Sequence, residues 1–168
     1  MTLASLRVCV STPTSLALNV PQAKQQPIIE GNTMKIYYTG GNGPFMGSRA
    51  AGFSLAMLQR DWWFGFTPMG NHNATVLTTA VTVGSAGVLL VSADARYGPV
   101  GVGVKSPKRH VSGLSVGECV PLQGNLTDGV VEWGGANIGS PLASLVGKNI
   151  TLEFVLSPRA VLFAFALP

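Results

Sequence analysis

Charge is scarce in this chain. Asp, Glu, Lys and Arg make up only 11% of its 168 residues, against 46% hydrophobic, and the mean hydropathy is +0.35. A chain this apolar and this weakly charged does not belong to the disordered class. Long apolar runs are also missing. The longest, Ala160–Leu167, has 8 residues, too few for a membrane-spanning helix and right for a buried strand. Cysteine is rare. Cys9 and Cys119 fit no metal-ligand spacing. They read as two separate buried thiols, the alternative being a disulfide that requires the N-terminal segment to pack on the rest of the chain. The net charge is only +4, and its basic residues are scattered apart from Lys105, Lys108 and Arg109 beside His110. That group reads as a turn between two strands rather than a phosphate patch, and no nucleic-acid motif accompanies it. No cofactor is expected.

What is abundant is turn chemistry. The 21 glycines and 11 prolines punctuate short segments rich in β-branched and aromatic residues. Leu3–Val10 reads as a short strand, and Ser11–Pro27, with Pro13, Pro21 and Pro27, as an extended linker. Glu30-Gly31-Asn32 turns Ile28-Ile29 into a strand at Met34–Thr39. Alternation there places Ile36 and Tyr38 on one face and Lys35, Tyr37 and Thr39 on the other. After Gly40–Pro44, Ser48–Gln59 forms the second strand, with Phe53, Leu55, Met57 and Gln59 on one face. Arg60–Phe66 extends it, so that Trp62 and Phe64 share a face and Trp63 takes the other.

From Ala74 strands recur at regular spacing: Thr75–Val83, Val88–Ala93, Val100–Lys105, Leu114–Val120, Val130–Trp133, Asn149–Leu156 and Ala160–Ala166. Asn149–Leu156 alternates apolar Ile150, Leu152, Phe154 and Leu156 with Asn149, Thr151, Glu153 and Val155, the pattern of a half-buried strand. Antiparallel strands at this spacing point to a β-sandwich. The fold class is therefore all-β: a linker and hairpin within residues 1–70, then a sandwich over 74–168.

The residues of the hairpin carry a resemblance. Tyr37, Tyr38, Gly40, Gly41, Gly52, Leu55, Ala56, Arg60 and Asp61 resemble the last blade of five-bladed β-propeller glycoside-hydrolase-like proteins, the relatives of sucrose-, fructan- and arabinan-cleaving enzymes. Ser92–Ala95, Cys119–Leu122, Val131–Trp133, Leu145–Lys148, Leu152–Phe154 and Ala160–Phe165 resemble the sandwich that follows such propellers. Phe45 stands where those blades often carry His, and Trp62 where they carry Gly. The resemblance implies a terminal blade and sandwich from a larger protein, whose missing blades, or another chain, would be its partner. In that family the catalytic carboxylates come from earlier blades. Glycoside hydrolysis needs two carboxyl groups facing one bond. The seven acidic residues here, Glu30, Asp61, Asp94, Glu118, Asp128, Glu132 and Glu153, form no recognisable pair in sequence.

The expected function is thus that of a non-catalytic portion that stabilises a propeller and contacts glycan. The alternatives are a stand-alone lectin-like or adhesion sandwich, or a truncated product without function, in which isolated blade strands leave open edges. No catalytic residue is assigned. Trp62 and Trp63 are the leading sugar-binding candidates, because aromatic rings stack on the apolar faces of sugars; packing of the same rings in the core is the competing reading. Tyr38 joins them, one of the pair Tyr37 and Tyr38 facing a surface and the other the core. Asp94, beside Arg96 and Tyr97 where a buried strand meets a Gly-Pro turn, is a candidate ligand contact or a partner of Arg96. His72 and His110 lack a nucleophile or metal partner at a telling spacing. Three N-x-S/T sequons, at Asn73, Asn125 and Asn149, favour a secreted protein, although Met1–Val20 has no clean signal peptide.

Overall fold

The computed structural model describes residues 4–7, 19–22, 26–41, 51–106, 109–134 and 142–168. Within them the chain is all-β. Its thirteen described strands are β1 (Ala4–Arg7), β2 (Asn19–Gln22), β3 (Ile28–Glu30), β4 (Thr33–Gly41), β5 (Ala51–Gln59), β6 (Gly65–Pro68), β7 (Ala74–Leu77), β8 (Val81–Thr82), β9 (Leu90–Ser106), β10 (Arg109–His110), β11 (Leu122–Val130), β12 (Asn149–Leu156) and β13 (Val161–Ala166). A 3₁₀ turn covers Ala143–Leu145. Every ladder is antiparallel. The strands fall into two compact units, one from Met1–Val8 with Phe64–Pro168 and the other from Cys9–Trp63.

The larger unit is organised by β9, 17 residues long. Its first half, Leu90–Asp94, lies between β11 and β13, and its second half, Val100–Lys105, pairs with β12. β13 continues the sheet through β6 to β1, and β12 continues it to β7 and β8. One strand thus belongs to both arms of a nine-stranded sheet, as in packings where a bent strand passes from one layer to the other. The expected turn at Gly98-Pro99 is not there. The backbone stays extended through it, and no ladder partner falls between Ala95 and Val100 on β11, so the missing N–H of Pro99 costs no bond. The Pro99 carbonyl is used instead, accepting from Ser157 N–H at 3.1 Å.

The core follows from register. Val100, Val102 and Val104 pair with Leu156, Phe154 and Leu152, and all six are fully buried. Leu89, Val91, Ala93, Ile150, Ala160 and Leu162 extend this cluster, and Leu114, Cys119, Leu122, Val131 and Trp133 join it. The other face of β9 carries Gly101 and Gly103. A Cβ at Gly103 would collide with Val116, so glycine here lets the 111–119 segment lie directly on the strand.

Three further expectations change. Leu114–Val120 is not a strand but a series of turns, closed by Leu114 N–H to the Val111 carbonyl and Glu118 N–H to the Ser115 carbonyl, and ending in an isolated bridge between Cys119 and Trp133. The strand is Leu122–Val130, hidden in the sequence because Gly124 and Asp128 sit inside it at positive φ, 91° and 55°, each at a register shift. Thr75–Val83 is broken into β7 and β8 because Thr78 leaves the ladder to bond Leu152 from both its N–H and its hydroxyl oxygen.

In the smaller unit β4 is central. β5 pairs along one side of it over nine residues, while β3 and β2 share the other side end to end. Four strands therefore occupy three lanes. The expected linker contains β2, with Pro21 at its irregular register.

Candidate functional site

The β4–β5 register decides which side chains of the smaller unit stand together. Tyr37 pairs with Leu55, Lys35 with Met57 and Thr39 with Phe53, and Ile28 of β3 pairs with Lys35. Paired residues share a face, so Ile28, Lys35, Tyr37, Phe53, Leu55 and Met57 line one side of the sheet. That side is open: Phe53 is 88% exposed and Tyr37 47%, with Ile28, Leu55 and Met57 exposed as well. The opposite side holds Met34, which is buried, and Ile36, Tyr38, Ala56 and Leu58, each partly covered. The sheet is apolar on both faces, and this second face is the more covered, although Ile29 at its end is exposed. Lys35 Nζ donates to Glu30 Oε2 at 2.6 Å at one end of the open face, and that partner raises the Lys35 pKa.

The hairpin closes at its far end through Arg60 N–H to the Asn32 carbonyl at 2.7 Å and Trp62 N–H to the Gln59 carbonyl at 3.1 Å. Asp61 has φ 71° there, and residues 60–63 form a turn rather than the expected strand. A left-handed residue at Asp61 ends the alternation, so Trp62, Trp63 and Phe64 lie on a bend and not on opposite strand faces. Beside the turn, Asn32, Thr33, Met57, Leu58 and Gln59 line a shallow open groove of about 400 Å3.

The four sequence-derived site residues lie in different settings. Trp62 is half-buried and Trp63 38% exposed, both in the turn; Tyr38 is half-buried on the more covered face of β4, and its neighbour Tyr37 takes the open face. Asp94 belongs to the larger unit, on β9 between Asn125 and Val161. Its Oδ1 and Oδ2 accept from Arg96 Nε at 2.8 Å and Nη2 at 2.7 Å, and the guanidinium carbon lies 5.5 Å from the centre of the Tyr97 ring. This two-point hydrogen bonding holds the Asp94 carboxyl below the usual carboxylate range. Sequence reasoning placed Phe53, Leu55 and Met57 together but gave no reason to expect them exposed. Alternation groups Phe53, Leu55, Met57 and Gln59 on one face of β5 and Ser54, Ala56 and Leu58 on the other, but carries no signal of which face is left open.

The carboxylates are mostly engaged locally. Glu153 Oε1 accepts from Lys105 Nζ at 2.8 Å with His110 Nε2 3.9 Å from its other oxygen, Glu118 Oε2 accepts from the N–H and hydroxyl of Ser115, and Asp61 lies 3.6 Å from Arg60 Nε. The Ser115 hydrogen bonds lower the Glu118 pKa. Of the basic group, Arg109–His110 pairs back onto Lys105–Ser106, and Lys108 lies outside the described residues. Among the described residues no three His, Cys, Asp or Glu side chains are grouped to hold a metal ion, and no helix is long and apolar enough to cross a membrane. Cys119 is a buried free thiol whose pKa burial pushes up; Cys9 lies outside the described residues.

No protein-family model, curated protein or solved structure matches the chain.

Proposed function

We propose that this chain is the non-catalytic accessory portion of a glycoside-hydrolase-like β-rich protein, and that its working surface is the open face of β3, β4 and β5. The observation that carries the reading is the row Ile28, Tyr37, Phe53, Leu55 and Met57, left exposed on the more open face of the sheet. Burying one such side chain stabilises a contact by roughly 1.5–3 kcal/mol, so the row suffices to dock a β-rich body such as a propeller. Contiguous apolar surface of this kind marks interaction sites in soluble proteins. Tyr37 and Trp63 add exposed rings suited to the apolar face of a sugar. The local engagement of Glu30, Asp61, Asp94, Glu118 and Glu153 supports a non-catalytic role, because hydrolysis needs two carboxyl groups free to face one bond.

The test is a calorimetric titration of the purified chain with fructan- and arabinan-type oligosaccharides, with product analysis alongside. Binding without bond cleavage is expected, weakened in Tyr37→Ala and Trp63→Ala while circular dichroism stays unchanged. Release of monosaccharide by the chain alone would sink the non-catalytic reading. Loss of structure in Trp63→Ala would assign that ring to packing instead of sugar contact.

A further inference from the structure

The two edges of the smaller sheet are built in opposite ways. On the β3–β2 side the edge is broken: β3 has three residues, β2 has four with Pro21 among them, and the register shifts between Asn19 and Gln22. Shortness, proline and irregularity are the usual devices that stop a sheet edge from recruiting another strand. On the other side β5 runs for nine residues in unbroken register with β4, from Ala51 opposite Gly41 to Gln59 opposite Thr33. Among the described residues no strand pairs with its outer side. Its sequence, Ala-Gly-Phe-Ser-Leu-Ala-Met-Leu-Gln, contains no charge and no proline, and the ladder shows no bulge.

We propose that β5 is a dimerisation edge, on which a second copy of this chain adds its own β5 in an antiparallel, two-fold ladder centred on Leu55. The commitment to a second copy comes from the strand's self-complementarity. With Leu55 opposite Leu55 of the second copy, all nine residues find partners: Phe53 faces Met57, Ser54 faces Ala56, Gly52 faces Leu58 and Ala51 faces Gln59. Every side-chain pair is small, apolar or uncharged, and no like charges meet. Phe53 and Met57, both exposed in the single chain, gain a sulfur–aromatic contact on each side of the axis. A two-fold pairing of this kind is isologous and closes at two copies. The pairing itself uses the backbone edge of β5; Phe53, Leu55 and Met57 also belong to the exposed row, but the readout here is oligomeric state, which the accessory-portion reading does not fix.

The experiment is light scattering with size-exclusion chromatography on the full chain over a range of concentrations, for the native protein, Leu55→Lys, Leu55→Glu and an equimolar mixture of the two variants. Leu55 is 41% exposed, so a charged end group can reach water in the monomer. The native chain is expected to be a dimer that dissociates on dilution. Each variant alone opposes like charges across the axis and raises the dissociation constant tenfold or more, and the mixture restores the dimer by placing lysine against glutamate. A native chain that stays monomeric at every soluble concentration overturns the proposal. So does a dimer indifferent to both variants, a mixture that stays monomeric, or open-ended growth past two copies. If the variants lose structure, amide exchange on the native chain decides. Alternate amides across residues 51–59 gain protection with concentration if the edge is paired, and protection independent of concentration refutes it.

Discussion

Replacing Trp133 by phenylalanine probes how the larger unit is held shut. The indole is buried, and its Nε1–H donates to the Val102 carbonyl at 2.8 Å, tying the end of the 111–134 segment to the middle of β9. The same end is pinned by the Cys119–Trp133 bridge and by Gly134 N–H to the Glu118 carbonyl at 2.8 Å. Phenylalanine keeps the apolar body but removes the donor. Losing a buried hydrogen bond costs about 1–2 kcal/mol, and the smaller ring leaves a gap worth about 1 kcal/mol more. The sum, about 2–3 kcal/mol, should lower the melting temperature of a unit of this size by roughly 8–13 °C. Scanning calorimetry is the right assay, because a chain with two compact units need not melt in one step. The transition of the larger unit should move and that of the smaller should not. Trp63→Phe serves as an internal control, since Trp63 lies in an exposed turn; it should shift neither transition by more than about 0.5 kcal/mol. A Trp133→Phe protein as stable as the native one would refute the placement of the indole against β9.

Other perturbations follow from single contacts. A Cβ on Gly84 would collide with the backbone of Leu167 and Pro168, whose carbonyl also accepts from Ala86 N–H; Gly84→Ala should cost about 1–3 kcal/mol in urea melts, and removing Leu167–Pro168 should make the two changes clearly non-additive. The Asp94 pKa is lowered by its hydrogen bonds from Arg96, so this group stabilises the fold above the unfolded carboxylate range, near pH 4, and the contribution disappears as pH falls through the lower folded value; Asp94→Asn should flatten the acid limb of a stability–pH curve, and an unchanged limb would discount the pair. Burial raises the Cys119 pKa, so in a Cys9→Ser background a thiol reagent should react only as fast as the chain opens, and rapid labelling at neutral pH would contradict its burial. Arg7 pairs with Gly65 where β1 meets β6, so the ends of residues 8–64 leave from adjacent lanes; replacing that segment by a short Gly/Ser loop should leave the calorimetric transition of the larger unit in place.

Strands whose side chains alternate cleanly were legible before any coordinates. Asn149–Leu156 is β12 to the residue, because one face meets the core and the other carries Asn149, Thr151 and Glu153. β9 was legible only in pieces. Its valines mark a buried strand, but Gly98-Pro99 reads as a turn in any local window, and only long-range partners, Ser157 N–H on the Pro99 carbonyl among them, hold the chain extended through it. β11 was missed for the converse reason: left-handed Gly124 and Asp128 look like breaks, and a long partner strand converts them into bulges. The open face of β4 and β5 was half legible. Period two put Phe53, Leu55 and Met57 side by side, but whether such a row is covered depends on what packs against it, which no local pattern encodes. For the same reason Trp62 and Trp63 read as a strand continuation, while Asp61 at positive φ turns them into a bend.

The long shared strand also sets a timetable for biosynthesis. β9 leaves the ribosome with its valines unpaired, and the partners that cover both its halves on one side, β12 and β13, come from Asn149–Leu156 and Val161–Ala166. β6 can pair early with β1, but its pairing with β13 waits on Leu162, some hundred residues downstream. Such distant pairings are slow to close, and they leave apolar strands exposed meanwhile. The smaller unit can assemble its β4–β5 hairpin from neighbours in sequence while the larger one waits for the ladders of β12 and β13. A nascent chain halted before Asn149 should accordingly be a substrate for chaperones that hold extended, valine-rich segments.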